Sequence, residues 1–182
     1  MVINTIEHLI NEIKASRSQI VELVKNITPV EGSIKIEPDT WSIQEVIEHL
    51  VLAERGGFDL IYTAAEKFRM GEPVWAGKSE NEGLSIEEII TTTWKPKEKA
   101  PESATPRGKW SLGVWLSHFQ NCDGLLKNLN IVVKDLPLSK VIYPHFLCGP
   151  LDVIQRLEFI RFHIDRHLLQ IIELKKRIGI MN

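Results

Sequence analysis

DVIQRLEFIRFHIDRHLLQIIELKKRIG, residues 152–179, decides how the rest of this chain is read. Leu157, Ile160, Ile164, Ile171, Leu174 and Ile178 recur at the three- and four-residue spacing of one helix face, so the segment lays an apolar seam against other helices. Asp152 with Gln155 three residues on has the pattern of a capping box, and Gly179 supplies the stop, which predicts a helix between them. One place in the seam is held by His167, and His163 stands one turn earlier on the flank of that face. Histidines at i and i+4 bring two imidazoles close enough to share one cation. The plainer alternative is a pair of hydrogen-bonded core histidines, which requires a partner for every ring nitrogen beside an apolar seam.

Working upstream, Ser42 and Glu45 repeat the capping box, with Trp41 and Val46 at the hydrophobic-staple positions. Ile43, Val46, Leu50, Gly57, Leu60, Ala64 and Phe68 continue the apolar stripe until Gly71 and Pro73 end it. His49 lies at the edge of that stripe, where it can face the 152–179 helix as a third ligand. Three neutral imidazoles from two rigid helices leave a position for water or substrate, the open pattern of catalytic rather than structural zinc.

Two further helices complete the pattern. The first is predicted from Asn4, boxed by Glu7, through Ile6, Leu9, Ile10, Ile13, Ile20, Val24 and Ile27 to the stop at Pro29. The other is predicted over Lys109 to Leu129, with Trp110, Trp115, Phe119, Leu126 and Leu129 inward and Gly124 as its weak point. Residues 71–109, with Gly77, Gly83, Pro96, Pro101 and Pro106, read as loop broken by a short helix starting at Ser85 with Glu88. Residues 130–150, with Pro137, Pro144, Gly149 and Pro150, read as irregular apart from a short extended piece at Val141–Tyr143. The expectation is an all-α four-helix bundle with long crossover loops, one domain over residues 1–182. Loops of that length in a small domain are commonly functional, so they are expected to roof a site.

Composition agrees with one domain, since 182 residues with 43% hydrophobic content can bury a core without staples. The two cysteines, Cys122 and Cys148, form no CxxC or framework spacing, which reads as a reducing compartment. MVINTIEHLI interrupts its apolar stretch with Glu7 and His8 and lacks a basic flank, so it is not read as a signal peptide and the expected location is cytoplasmic. No run approaches the roughly 18 apolar residues of a membrane span. A net charge of -2 offers no basic surface for phosphate backbones, so the expected partner is a small molecule, with neither nucleic acid nor membrane.

WSIQEVIEHLVLAE at 41–54 and FIRFHIDRHLLQI at 159–171 together resemble the DinB/YfiT-like superfamily of metalloenzymes. YPHFLCGPLD at 143–152 is similar to that family's proline- and glycine-containing entry to its last helix. The resemblance covers the second and fourth long helices and their lead-ins; the other two agree in length and placement only. It implies a divalent metal on His49, His163 and His167; three imidazoles suit zinc, nickel, iron(II) or copper. It also implies a metal-dependent enzyme that activates a thiol or water for attack on a small molecule, either a thiol S-transferase or a hydrolase. Characterised members of the family use low-molecular-weight thiols such as bacillithiol, and one is a mycothiol-dependent isomerase. A homodimer is a further implication. The competing reading is a non-catalytic stress-response or small-ligand-binding bundle whose metal is structural or vestigial.

Other polar residues carry two readings each. Glu54 interrupts the edge of the second helix, either as a general base near the metal or as an ion-paired carboxylate. Gln170, one turn beyond His167, either orients a ligand or lies on the helix surface. His145 lines a pocket mouth or is solvated; His8 and His118, without partner spacing, are read as structural. Trp75, Trp94 and Trp110 close over an apolar ligand or fix the crossover to the bundle. Cys122 and Cys148 are read as small hydrophobes.

Overall fold

The computed structural model describes residues 2–95 and 99–180, with the side chains of residues 2–5 outside the description. Pro96 falls outside it as well. The first helix, α1 (Val2–Val24), buries Ile6, Leu9, Ile10, Ile13, Ile20 and Val24 as their spacing requires. Because the chain is already helical at Val2, Asn4 lies inside α1 and is not its cap. The other end also differs from expectation. The helix stops at Val24, short of Ile27, and Pro29 opens α2 (Pro29–Ser33) under a Thr28–Glu31 capping box. A proline at the first helical position sacrifices no hydrogen bond, because that N–H has no intrahelical partner.

The boxes at Ser42 and Ser85 form reciprocally and start α3 (Ile43–Arg69) and α4 (Ile86–Thr93). The predicted third long helix is two helices, α5 (Leu112–Asn121) and α6 (Asp123–Val132), joined at Cys122. At the joint the ladder tightens to three-residue bonds, Cys122 N–H to Phe119 O at 3.2 Å and Leu125 N–H to Cys122 O at 3.1 Å, so the α-helical run is interrupted before Gly124 is reached. Trp115, Phe119, Leu126 and Leu129 are buried as expected. Trp110 is not inward: it precedes α5, is 40% exposed, and lies against Trp115 and His118.

An antiparallel pair, β1 (Ile142–His145) and β2 (Gly149–Asp152), leads into α7 (Val153–Arg177). The extended piece expected at Val141–Tyr143 is thus the first arm of a hairpin whose second arm went unread. Gly149, at φ +71, closes the loop opposite His145, a backbone conformation that favours glycine. The crossover satisfies the hairpin's outer carbonyls: Asn81 Nδ2 donates to Cys148 O (2.6 Å) and Pro150 O (2.9 Å). Gln155, besides completing the Asp152 box, donates to Asn81 O at 2.6 Å and Leu84 O at 2.9 Å. The cap that starts α7 therefore also fixes the crossover.

The fold is mainly helical. Among the described residues α1 packs along α7, and α3 packs against α5, α6 and α7, around one continuous apolar cluster that includes Ile13, Ile20, Val46, Leu50, Phe119, Leu126, Leu157 and Ile164. A smaller cluster of Ile86, Ile89, Cys148, Leu151 and Phe159 seats α4 and the hairpin on α7. No described helix is long and apolar enough to cross a membrane.

Candidate metal centre

His49 from α3 meets His163 and His167 from α7 where the two helices pack. Their candidate ligand atoms all lie within 4.8 Å of one another. The Nε2 of His163 stands 3.1 Å from the Nε2 of His49 and 3.1 Å from that of His167. Nitrogen ligands about 2.0–2.1 Å from one tetrahedral ion are themselves roughly 3.3 Å apart, so the spacing fits a shared cation. The three rings are buried, at 4%, 8% and 4% exposure for His49, His163 and His167.

Hydrogen bonding fixes the tautomers of the outer two. His49 Nδ1 lies 2.7 Å from the carbonyl of Ala104, and His167 Nδ1 lies 2.7 Å from Oε1 of Gln170. A carbonyl oxygen only accepts, and so does an amide oxygen; each Nδ1 therefore carries the proton and each Nε2 presents a lone pair. The two lone pairs face His163 Nε2, which holds at most one proton. At least one buried lone pair is left without a donor, and a cation between the three rings would satisfy all of them together.

The groups that hold the rings in place come in part from the crossover. Ala104 ends a 3-10 turn, Glu102–Ala104, in the crossover, and buried Glu48, next to His49 on α3, holds that crossover down. Its two carboxylate oxygens take the amides of Arg107 and Gly108, each at 2.9 Å. Trp41 covers the other side, 4.8 Å from His49 and 6.5 Å from His167 between ring centroids. Of the two readings of Gln170, the structure shows a bond to His167 Nδ1 at 2.7 Å. A Gln170→Leu variant should weaken metal affinity by about 10- to 100-fold, the usual effect of losing such a partner, as measured by competition with a chromophoric chelator.

Burial lowers the basicity of all three rings. His163 falls well below its ordinary value through desolvation and then through the neighbouring imidazoles; His167 falls to about 3 by desolvation and the nearby His49; His49 is lowered by desolvation despite its bond to Ala104. At neutral pH the three are uncharged, the form that ligates metals.

A cavity of about 1060 Å³ opens beside the rings. The crossover contributes Pro101, Ser103 and Ala104 to its wall, and the hairpin contributes Tyr143 and His145, so the long connections do border the site as expected. Trp94 lines this cavity, whereas Trp75 lines a separate one of about 330 Å³ and Trp110 lines neither.

Glu54 also borders the cavity and is 2% exposed. Its Oε2 pairs with Arg17, a buried guanidinium of α1 that also pairs with Asp123, and its Oε1 has no partner among the described residues. Burial pushes this carboxyl up to about 7 against the pull of Arg17.

His145 is not solvated: it is 8% exposed, with Nδ1 accepting the amides of Cys148 (3.1 Å) and Leu147 (3.4 Å). His8 is exposed beside Glu12, and His118 stacks on Trp110. Both cysteines are buried free thiols.

The reading of the sequence missed Arg17, Glu48 and Arg156. Arg156 had a visible signal, since Arg156, Ile160, His163 and His167 follow one helical row. Glu48 had none, because its partners are backbone amides 59 and 60 residues away.

Neither protein-family models, curated proteins nor solved structures match the chain.

Proposed function

We propose that the chain is a DinB/YfiT-type four-helix bundle and a metal-dependent enzyme, acting on a small molecule through His49, His163 and His167. The observation that carries this is the convergence of three buried Nε2 atoms with two Nδ1 positions already engaged by acceptor oxygens. Among the described residues the group has three donors, the number found in catalytic rather than structural zinc sites. When bound, a divalent ion supplies a Lewis-acid position that lowers the pKa of a thiol or water.

The chain's own residues do the rest. Ala104 O and Gln170 Oε1 hold the rings in the ligating tautomer. The cavity wall orients the substrate and limits water, and Glu54, with an Oε1 that has no partner among the described residues and a pKa of about 7, takes the proton that the nucleophile gives up. Thiol transfer is preferred to hydrolysis on the resemblance of residues 41–54 and 159–171, with a low-molecular-weight thiol as co-substrate.

The test is turnover by protein loaded in turn with zinc, nickel and iron(II), given candidate thiols and electrophiles, against His167→Ala. The expected result is a metal-dependent rate that falls at least a hundredfold in the variant. Equal turnover by both proteins would overturn the catalytic reading.

A further inference from the structure

We propose that Arg156 makes the cavity beside the three histidines a binding site for a small organic anion, whose carboxylate or phosphate pairs with the guanidinium while its other end reaches His163. Arg156 is 6% exposed and lines the cavity. Its Nε and Nη1 are buried without a hydrogen-bond partner among the described residues, and none of the ion pairs they form includes it. A guanidinium has five donors and stays charged at neutral pH. Leaving such a group buried and unpaired is costly, so its partner is to be sought outside the chain.

The same protein supplies the comparison. Arg17, the other deeply buried arginine, is held between Glu54 and Asp123. Among the described residues Arg17 is thus paired through Nη1 and Nη2, whereas Arg156, the one of the two that borders the cavity, meets no carboxylate. Desolvation lowers Arg156 to about 10, which keeps it cationic under ordinary conditions.

The surroundings match an anion with an apolar body. Arg156 precedes His163 by two helical turns, on the order of 10 Å along α7, and the ring of Phe159 lies between them. The guanidinium carbon is 5.7 Å from that ring's centroid, and the ring stacks on His163 at 5.8 Å. Arg166, over Trp94 at 5.6 Å, and Lys99 add positive charge to the wall. Among the described residues the carboxylates on it are Asp39 and Glu54, and the latter is engaged by Arg17. His145, whose Nδ1 accepts two amides, holds its proton on Nε2 and adds a neutral donor to the same lining.

Only the statement that the ligand's far end reaches His163 rests on the metal-enzyme reading; anion binding by Arg156 stands without it. The test is calorimetric titration of inorganic phosphate and of succinate into metal-free and zinc-loaded protein, for wild type, Arg156→Lys and Arg156→Met, with metal content and melting temperature recorded for each. The expected result is saturable binding of at least one anion by the metal-free wild type. Affinity should fall at least tenfold in Arg156→Met, as for loss of a charged hydrogen bond, and less in Arg156→Lys. Metal content should be unchanged, and Arg156→Met should melt no lower than wild type because an unpaired buried charge has been removed. Preference for phosphate or for succinate identifies which acid the site takes, and either supports the proposal. Equal affinity in wild type and Arg156→Met overturns it. So does a wild type that binds neither anion while Arg156→Met melts lower, which would make Arg156 a packing residue. Anion binding that persists in metal-free His167→Ala separates this site from the metal reading.

Discussion

Replacing His163 by alanine is expected to abolish metal binding, with affinity falling by more than about a hundredfold, the upper range for loss of an outer-shell partner alone. His163 is the centre of the group, because its Nε2 is the atom that lies 3.1 Å from both of the others. Without it, His49 and His167 remain as a pair whose Nε2 atoms have no third donor to close the set. The measurement is metal stoichiometry after dialysis, with one ion per wild-type chain and none per variant. Retention of a full equivalent by His163→Ala would remove the three-histidine centre from consideration. Stability gives a second reading of the same event. An ion present at a thousand times its dissociation constant adds about 4 kcal/mol, which for a chain of this size raises the melting temperature by roughly 2–4 °C per kcal/mol. Wild type should show that rise and lose it to chelator, whereas the variant should show neither.

The centre was legible in the sequence because its residues break a rule that the rest of their helices obey. His167 occupies an apolar position in a seam of Leu157, Ile160 and Ile164, and burial of a polar ring there demands a partner. The capping boxes at Ser42, Ser85 and Asp152 were equally legible, since each depends on a side chain and an amide three residues apart. What failed to show depends on contacts distant in the chain. The joint at Cys122 lies between two helices that each pack on α3, and the run over 109–129 keeps a helical period through the break. The second strand contains Gly149 and Pro150, residues that local propensity assigns to a turn, and its Pro150 carbonyl is satisfied by Ser79 and Asn81, some seventy residues away in the chain. His145 reads as a loop residue until the hairpin amides close on its Nδ1. Arg156 sits on the right helical row, yet a charged residue beside a seam resembles any solvated arginine until the carboxylates around it are accounted for.

Arg17→Met is expected to be among the most damaging single changes outside the histidines, destabilising the fold by about 3–5 kcal/mol. Arg17 and Glu54 are each 2% exposed and pair in the interior, while Asp123, the guanidinium's other partner, is 46% exposed. Removing the cation leaves the Glu54 carboxyl buried without its partner beside Asp123, so that it must either stay charged in the interior or take up a proton to remain there. Removing both groups, as in Arg17→Met with Glu54→Leu, should recover most of the loss, because an apolar pair of similar volume needs no desolvation of charge. Thermal melts of the two variants decide this, and equal melting of single and double variants would show that the pair is not coupled. Glu54 also sets a pH dependence whose sign follows from its shift. Burial, opposed by Arg17 and helped slightly by Asp123, raises this carboxyl to about 7 from an ordinary 4.5. Between those values the native state holds a proton that the unfolded chain has released, so stability contributed by this group is full below about 4.5 and declines as pH climbs towards 7. Glu54→Gln should remove that slope. The same variant tests the role of Glu54 in turnover: a general base contributes about 10²- to 10⁴-fold, so a rate lost on that scale with melting intact assigns it to proton transfer. An unchanged rate with an altered pH–stability profile assigns Glu54 to the α1–α3 interior alone.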